Sequence, residues 1–241
     1  MIFDDLVAEQ EALDAVLVGL SPGAWRAESA APGWTVADVV LHMAQSEEIL
    51  TATVAGSGAV DWRQFGSTVD QAMDVMVRAE RASPREVLER WRSARRAALA
   101  GLVSADPERP IHWVVTPLKP RTLATTRLAE HWAHALDVTG PLGIDHPDTA
   151  RLRHIAWLGH TMLPYAFALA GQPPQAVRCE LTAPDGSTWQ FGPPEADSSI
   201  VGPASEFCRL GAQRLALEQT SLVGSGPSGL AALRVLRTYA R

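Results

Sequence analysis

The sequence predicts an α+β protein, a four-helix N-terminal region followed by a smaller mixed α/β region. Two periodicities carry that reading. Up to about residue 140, apolar side chains recur at three- and four-residue spacing between start and stop signals. After Gly143 one more helical stretch gives way to two-residue alternation at Val177, Cys179 and Leu181. With 241 residues, 46% hydrophobic and 20% charged, the chain is long enough for one large core or two smaller ones. The expected domains are residues 1–143 and 149–241.

The first helix is read from Phe3, Leu6, Leu13, Val16, Leu17 and Leu20, and it stops at Ser21-Pro22-Gly23. Thr35 and Asp38 form a Thr-x-x-Asp variant of the capping box, with Trp34 and Val39 at the two staple positions, and they open a second helix that runs to about Val54. Its stripe is Val36, Val39, Val40, Met43 and Leu50, and His42 lies on the stripe's edge, facing the core margin. Residues 55–82 hold a Gly/Ser turn and then a weaker helical stretch over 69–82. Ser83-Pro84-Arg85-Glu86 starts a third long helix, continued by Val87, Leu88, Trp91, Ala94, Ala98 and Leu102. Prolines at 107, 110, 117 and 120 make the next segment a long connection with one short strand at 111–115, and long connections often border sites. The fourth helix covers 122–138 and ends at Thr139-Gly140-Pro141.

Beyond it, one long helix is expected over 149–170, stopped by Gly171-Gln172-Pro173-Pro174. Val177, Cys179 and Leu181 then read as a strand, with a hairpin partner at 188–191 across the turn Pro184-Asp185-Gly186. A short strand at 200–201, a helix over 204–216 and a closing helix over 229–239 complete the chain.

Composition excludes several function classes. A formal charge of −6 with no arginine-lysine cluster argues against a nucleic-acid footprint, and 6% aromatic residues are too few for base-stacking platforms. No stretch approaches the roughly eighteen apolar residues that span a bilayer, and the acidic start Met1-Ile2-Phe3-Asp4-Asp5 has no basic n-region. A cytoplasmic protein is expected, without a membrane partner, as a monomer or homodimer. Cys179 and Cys208 are too few and too isolated for a disulfide framework and read as buried, inert thiols. The single lysine, Lys119, among 21 basic residues reads as the bias of a GC-rich coding sequence.

The residues with chemistry are His42, Glu130 and His134. Glu130 and His134, four apart, share one helix face. With His42 they make a two-histidine, one-carboxylate set that leaves coordination positions open, as catalytic metals require. The competing reading makes each histidine a hydrogen-bonded core residue. A carboxylate among apolar neighbours needs a cation, which a metal or Arg127 would supply. His131 is the rival ligand, but it projects about 100° away from Glu130. Asp137 and Asp38, each one turn from a proposed ligand, either orient an imidazole or lie on solvated surface, the second being favoured for Asp38. Glu47 and Glu48 read as solvated face.

The run Pro32-Gly33-Trp34-Thr35-Val36-Ala37-Asp38-Val39-Val40-Leu41-His42, with Glu130-His131-Trp132-Ala133-His134-Ala135-Leu136-Asp137 much later, resembles the mycothiol-dependent maleylpyruvate isomerase family within the wider DinB-like metal-binding bundles. The resemblance covers most of the chain. It implies a DinB-like four-helix bundle and a divalent metal held by His42, Glu130 and His134. Zinc is the first choice, with nickel, iron or manganese as alternatives. The stretch from Val201 to Arg214 is similar to the family's Gly-Pro-Ala helix, which ends in an arginine linked to substrate binding or catalysis. That arginine falls on Arg214, with Arg209 as competitor, and Gln213 stands where the family usually has glycine.

The activity so implied uses mycothiol as co-substrate. A metal lowers the thiol's pKa, the thiolate adds to an activated double bond, and rotation with loss of the thiol isomerises the substrate, whereas addition alone is thiol transfer. Arg214 or Arg209 would hold a carboxylate of the small-molecule substrate. Trp34 and Trp132 would mainly pack the bundle. Arginine bias fits an actinobacterial source, the group that makes this low-molecular-weight thiol. The alternatives are a thiol-independent metal-dependent hydrolase or cyclase of secondary metabolism, and a non-catalytic metal-binding protein with a filled coordination shell.

Overall fold

The computed structural model describes residues 1–57, 62–114 and 116–239. Backbone contacts divide them into two units, Met1–His146 and a second beginning at Pro147.

In the first unit, helices α1 (Ile2–Val18), α2 (Pro22–Arg26), α3 (Val36–Val54), α4 (Val69–Ala79), α5 (Pro84–Ser104) and α6 (Pro120–Thr139) follow one another, with strands β1 (Ile111–Trp113) and β2 (Thr116–Leu118) before α6. The long helices α1, α3, α5 and α6 pack on one another as a bundle. Leu13 and Leu17 of α1, Val39 and Met43 of α3, Trp91 of α5 and Val138 of α6 meet in its core. The starts of α3 and α5 follow from local chemistry, because Thr35 with Asp38 and Ser83 with Glu86 each close a reciprocal capping box. Before α3, Ala31-Pro32-Gly33-Trp34 makes a tight turn, in which the Trp34 N–H donates to the Ala31 carbonyl at 3.1 Å. Gly33 sits at φ +78, which a side chain would resist, and proline before it presets the turn. Trp34 is thereby delivered to the foot of α3.

The connection before α6 differs from expectation. A hairpin of β1 and β2 replaces the single strand at 111–115, pairing Ile111 with Leu118 and Trp113 with Thr116. Val115 lies outside the described residues, as do 58–61 in the expected Gly/Ser turn. Pro117 gave no strand signal, but a two-stranded ribbon is all edge and tolerates it. Helix α6 starts at Pro120, where the missing N–H costs nothing at the first helical position.

The second unit holds α7 (Leu152–Thr161), α8 (Leu163–Leu169), β3 (Val177–Thr182), β4 (Thr188–Phe191), β5 (Ser198–Pro203), α9 (Ala204–Gly211), β6 (Val223–Ser225) and α10 (Gly229–Val235). Its sheet runs β4-β3-β5-β6, antiparallel except for the parallel pair β3–β5. Alternation puts Val177, Cys179 and Leu181 on the buried face, where α9 packs on β3 and β5. The long helix expected over 149–170 is two helices, because Pro164 cannot continue α7 and opens α8 instead. The last two helices are shorter than expected, ending at Gly211 and Val235, and β6 carried no readable pattern. Among the described residues no helix is long and apolar enough to cross a membrane.

Helix α9 ends in a Schellman motif: the Arg214 N–H donates to the Arg209 carbonyl at 2.8 Å and the Gln213 N–H to Leu210 at 3.0 Å. Gln213 occupies the left-handed position at φ +59 and is exposed. An L side chain there costs about 1–2 kcal/mol, so Gln213→Gly is expected to stabilise the protein by about 1 kcal/mol. Urea denaturation measures this, and a destabilised variant would show that the glutamine side chain contributes more than its backbone costs.

Candidate metal centre

Helix α3 presents His42 and helix α6, packed beside it, presents Glu130 and His134. One ligand atom from each lies within 4.8 Å of the others. The two imidazole centroids are 4.9 Å apart at 73°, and His134 Nε2 lies 3.4 Å from Glu130 Oε2. A tetrahedral ion bonded at about 2.0–2.2 Å spaces its donors by roughly 3.4 Å, so small side-chain adjustments bring this set into range.

Each member is prepared differently. His134 Nδ1 lies 2.9 Å from a carboxylate oxygen of the buried Asp137, which only accepts, so the ring's proton sits on Nδ1 and Nε2 is turned to Glu130. A neutral Nε2 facing a carboxylate sets lone pair against lone pair, and a proton or a cation resolves the conflict. Burial alone would lower the His134 pKa, but its bonds to Asp137 and Glu130 outweigh burial and raise it. His42 goes the other way. Burial, then the His134 charge, pull it down to about 3, leaving it neutral and ready to ligate. Its Nδ1 is buried with no hydrogen-bond partner, an orphaned donor or acceptor of the kind a bound group would explain. Glu130 is 31% exposed. Burial raises its pKa, yet the hydrogen bond from His134 and the nearby positive charges hold it well below the usual carboxylate range. The donor set therefore fits a divalent ion, with Asp137 orienting one ligand.

His131 stands outside this cluster. Fully buried, it donates from Nδ1 to the Arg127 carbonyl (2.8 Å) and accepts at Nε2 from the Trp91 indole (3.2 Å), with Gln10 Nε2 at 3.4 Å. It is a core histidine. Two surface expectations are corrected. Asp38 is buried, because it completes the α3 capping box and grips Arg81 through two 2.8 Å bonds, and among the described residues it is hydrogen-bonded to no imidazole. Glu47 is also buried, paired with Arg127 (2.9 Å) from α6, whereas the partly exposed Glu48 holds Arg90. Arg127, weighed as the cation for Glu130, spends its hydrogen bond on Glu47 and acts on Glu130 only through space.

Four further contacts carried no sequence signal. The Trp34 ring lies 5.1 Å from His42, and its indole N–H donates to Asp74 of α4 at 2.9 Å. In the second unit, Arg209 clamps Asp148 with two 2.9 Å bonds, and Arg214 Nη1 donates to the Ala212 carbonyl at 2.7 Å. Both thiols are buried, and burial pushes Cys179 up to about 12 and Cys208 further still.

Fold and cluster together define a helical-bundle protein with a two-histidine, one-carboxylate centre, joined to a mixed α/β unit. The chain belongs to the family described as the mycothiol maleylpyruvate isomerase N-terminal domain, whose model matches residues 6–139. Two uncharacterized proteins of Mycobacterium tuberculosis, from strains CDC 1551 and H37Rv, are each 33% identical to it over 98% of this chain and 94% of their own length. Among solved structures, the mycothiol-dependent maleylpyruvate isomerase and a point mutant of it superpose with a TM-score of 0.62. They cover 95% of this chain and 94% of theirs at 12% and 11% identity, a likeness of fold.

Proposed function

We propose that the protein is a cytoplasmic, divalent-metal-dependent enzyme of the isomerase or thiol-transferase kind, using mycothiol or a related low-molecular-weight thiol on a small electron-poor substrate. The observation that carries this reading is the convergence of His42, Glu130 and His134 within 4.8 Å, with an orphaned His42 nitrogen and an Asp137-oriented His134. These three residues would hold the ion, zinc by preference. When bound, such an ion acidifies a coordinated thiol so that thiolate is available near neutral pH. The protein's own cysteines, buried and held protonated, are unsuited to that task. Asp137 keeps His134 in one tautomer, and Glu130 balances part of the added charge. Arg214, just past the end of α9, would take the substrate-carboxylate role, with Arg209 as its competitor.

Tag-free protein is expected to carry about one divalent ion per chain by mass spectrometry, and His134→Ala to carry almost none, since losing a ligand exceeds the roughly 10–100-fold cost of losing an outer partner. Binding must displace the His134 proton, so below that raised pKa each pH unit of acidification weakens affinity about tenfold. Turnover without added thiol would move the assignment to a metal-dependent hydrolase or cyclase. Wild-type protein that takes up no metal even on reconstitution would remove the catalytic reading.

A further inference from the structure

The two imidazoles of the centre are held by unlike means. His134 is fixed by its hydrogen bond to Asp137, and its Nε2 faces Glu130 at 3.4 Å. The His42 ring makes no hydrogen bond among the described residues, and what surrounds it is aromatic: His134 on one side and Trp34 on another. Ligating histidines almost always anchor their second nitrogen to a polar group, so a ligand without one needs another device to set its plane.

Trp34 is built to be that device. Its backbone is pinned by the turn at Gly33 and by Ser29, whose N–H and hydroxyl both donate to the Trp34 carbonyl at 2.9 and 2.8 Å. Its indole N–H is tied at 2.9 Å to Asp74, which Arg78 holds through two bonds of 2.9 and 2.8 Å. With both ends fixed, the ring stands 5.1 Å from His42 at 49°. We propose that Trp34, locked by Asp74 of α4, is the positioning residue that sets the His42 imidazole for metal binding.

This inference rests on the metal reading of the His42, Glu130, His134 cluster, and the test separates the two. Asp74 is 39% exposed, so its substitution leaves the core intact. Full-length protein is titrated with Co2+, following the visible absorption band, and with Zn2+ against a competing chelator. Asp74→Ala and Trp34→Phe, which each break the indole bond, are expected to raise the metal Kd about tenfold, the lower end for outer partners of ligating histidines, and to alter the Co2+ band. Asp74→Asn keeps an acceptor oxygen and stays within about twofold of wild type, as does Arg78→Ala, which removes only the outer brace. The proposal is overturned if Asp74→Ala binds like wild type. It is equally overturned if Asp74→Asn falls as far as Asp74→Ala, which would make the effect one of charge, or if Trp34→Phe leaves both Kd and band unchanged. A wild-type chain that gives no Co2+ band overturns the metal reading itself, and this inference with it.

Discussion

Replacing Arg127 by methionine is expected to destabilise the protein by about 3–5 kcal/mol at pH 7, the usual cost of removing one partner of a buried ion pair. Its guanidinium lies 2.9 Å from Glu47, and both side chains are shut away from water between α3 and α6. Burial already pushes the Glu47 carboxyl above its ordinary 4.5, against the pull of Arg127. Once the arginine is gone, Glu47 must sit as an uncompensated buried charge or take up a proton. Protonating a group of unfolded pKa 4.5 at pH 7 costs about 3 kcal/mol, which agrees with the range above. The sign follows by linkage. A carboxyl whose folded pKa is raised destabilises above its unfolded value, so the gap between variant and wild type narrows as pH falls toward 4.5. Urea denaturation at pH 7 and pH 5 measures both effects. The pair Glu47→Leu with Arg127→Met should recover most of the loss, since apolar replacement of a whole buried pair is often neutral. A double variant as unstable as the single would show that shape, not charge, is what Arg127 supplies.

What was legible in the sequence was local. Thr35, Asp38 and Trp34 announce α3 because capping chemistry acts within five residues, and four-residue spacing sets Glu130 and His134 on one face with His131 turned away. The pairing of His42 with them came only from its place on an apolar edge and from the resemblance. What failed was long-range. Glu47 read as surface because nothing near it in the chain supplies its cation, which comes from Arg127 on another helix; Asp38 with Arg81 and Trp34 with Asp74 repeat that pattern. A charge is buried where its partner is, and partners distant in sequence leave no periodicity to read. The split of the 149–170 helix is a different kind of miss, since Pro164 carried the signal.

Acid is expected to destabilise the metal-free protein steeply below pH 6.5, before most of its carboxylates titrate. His42 and His131 are both held neutral down to about 3, His42 by burial and the His134 charge, His131 by burial and the Arg127 charge. Protonating His131 would also turn its Nε2 from acceptor into a donor facing the Trp91 indole N–H. In the unfolded chain both protonate near 6.5, so between pH 6.5 and about 3 the unfolded state binds more protons and stability falls with acidification. Each contributes about 1.4 kcal/mol per pH unit, together about 2.7. From pH 6.5 to 4.5 that is about 5 kcal/mol for the two histidines, comparable to the whole stability of many domains, and the Glu47 carboxyl, whose raised pKa lets it take up a proton in the fold first, offsets a part of it. His134 contributes nothing to this slope. Its folded pKa is raised, so its stabilisation is fully present below 6.5 and is lost only as pH rises through the folded value. Glu130 and Asp38, held low, withdraw theirs only as pH drops below their unfolded values, deepening the lower end of the same fall. Chelator-treated protein followed by urea denaturation across pH 6.5–4.5 gives the slope directly. His131→Gln should reduce it by about half whatever it does to absolute stability, and ring 15N NMR should show His131 still neutral at pH 5. A flat profile, or an unchanged slope in the variant, would mean that the two histidines accept protons inside the fold.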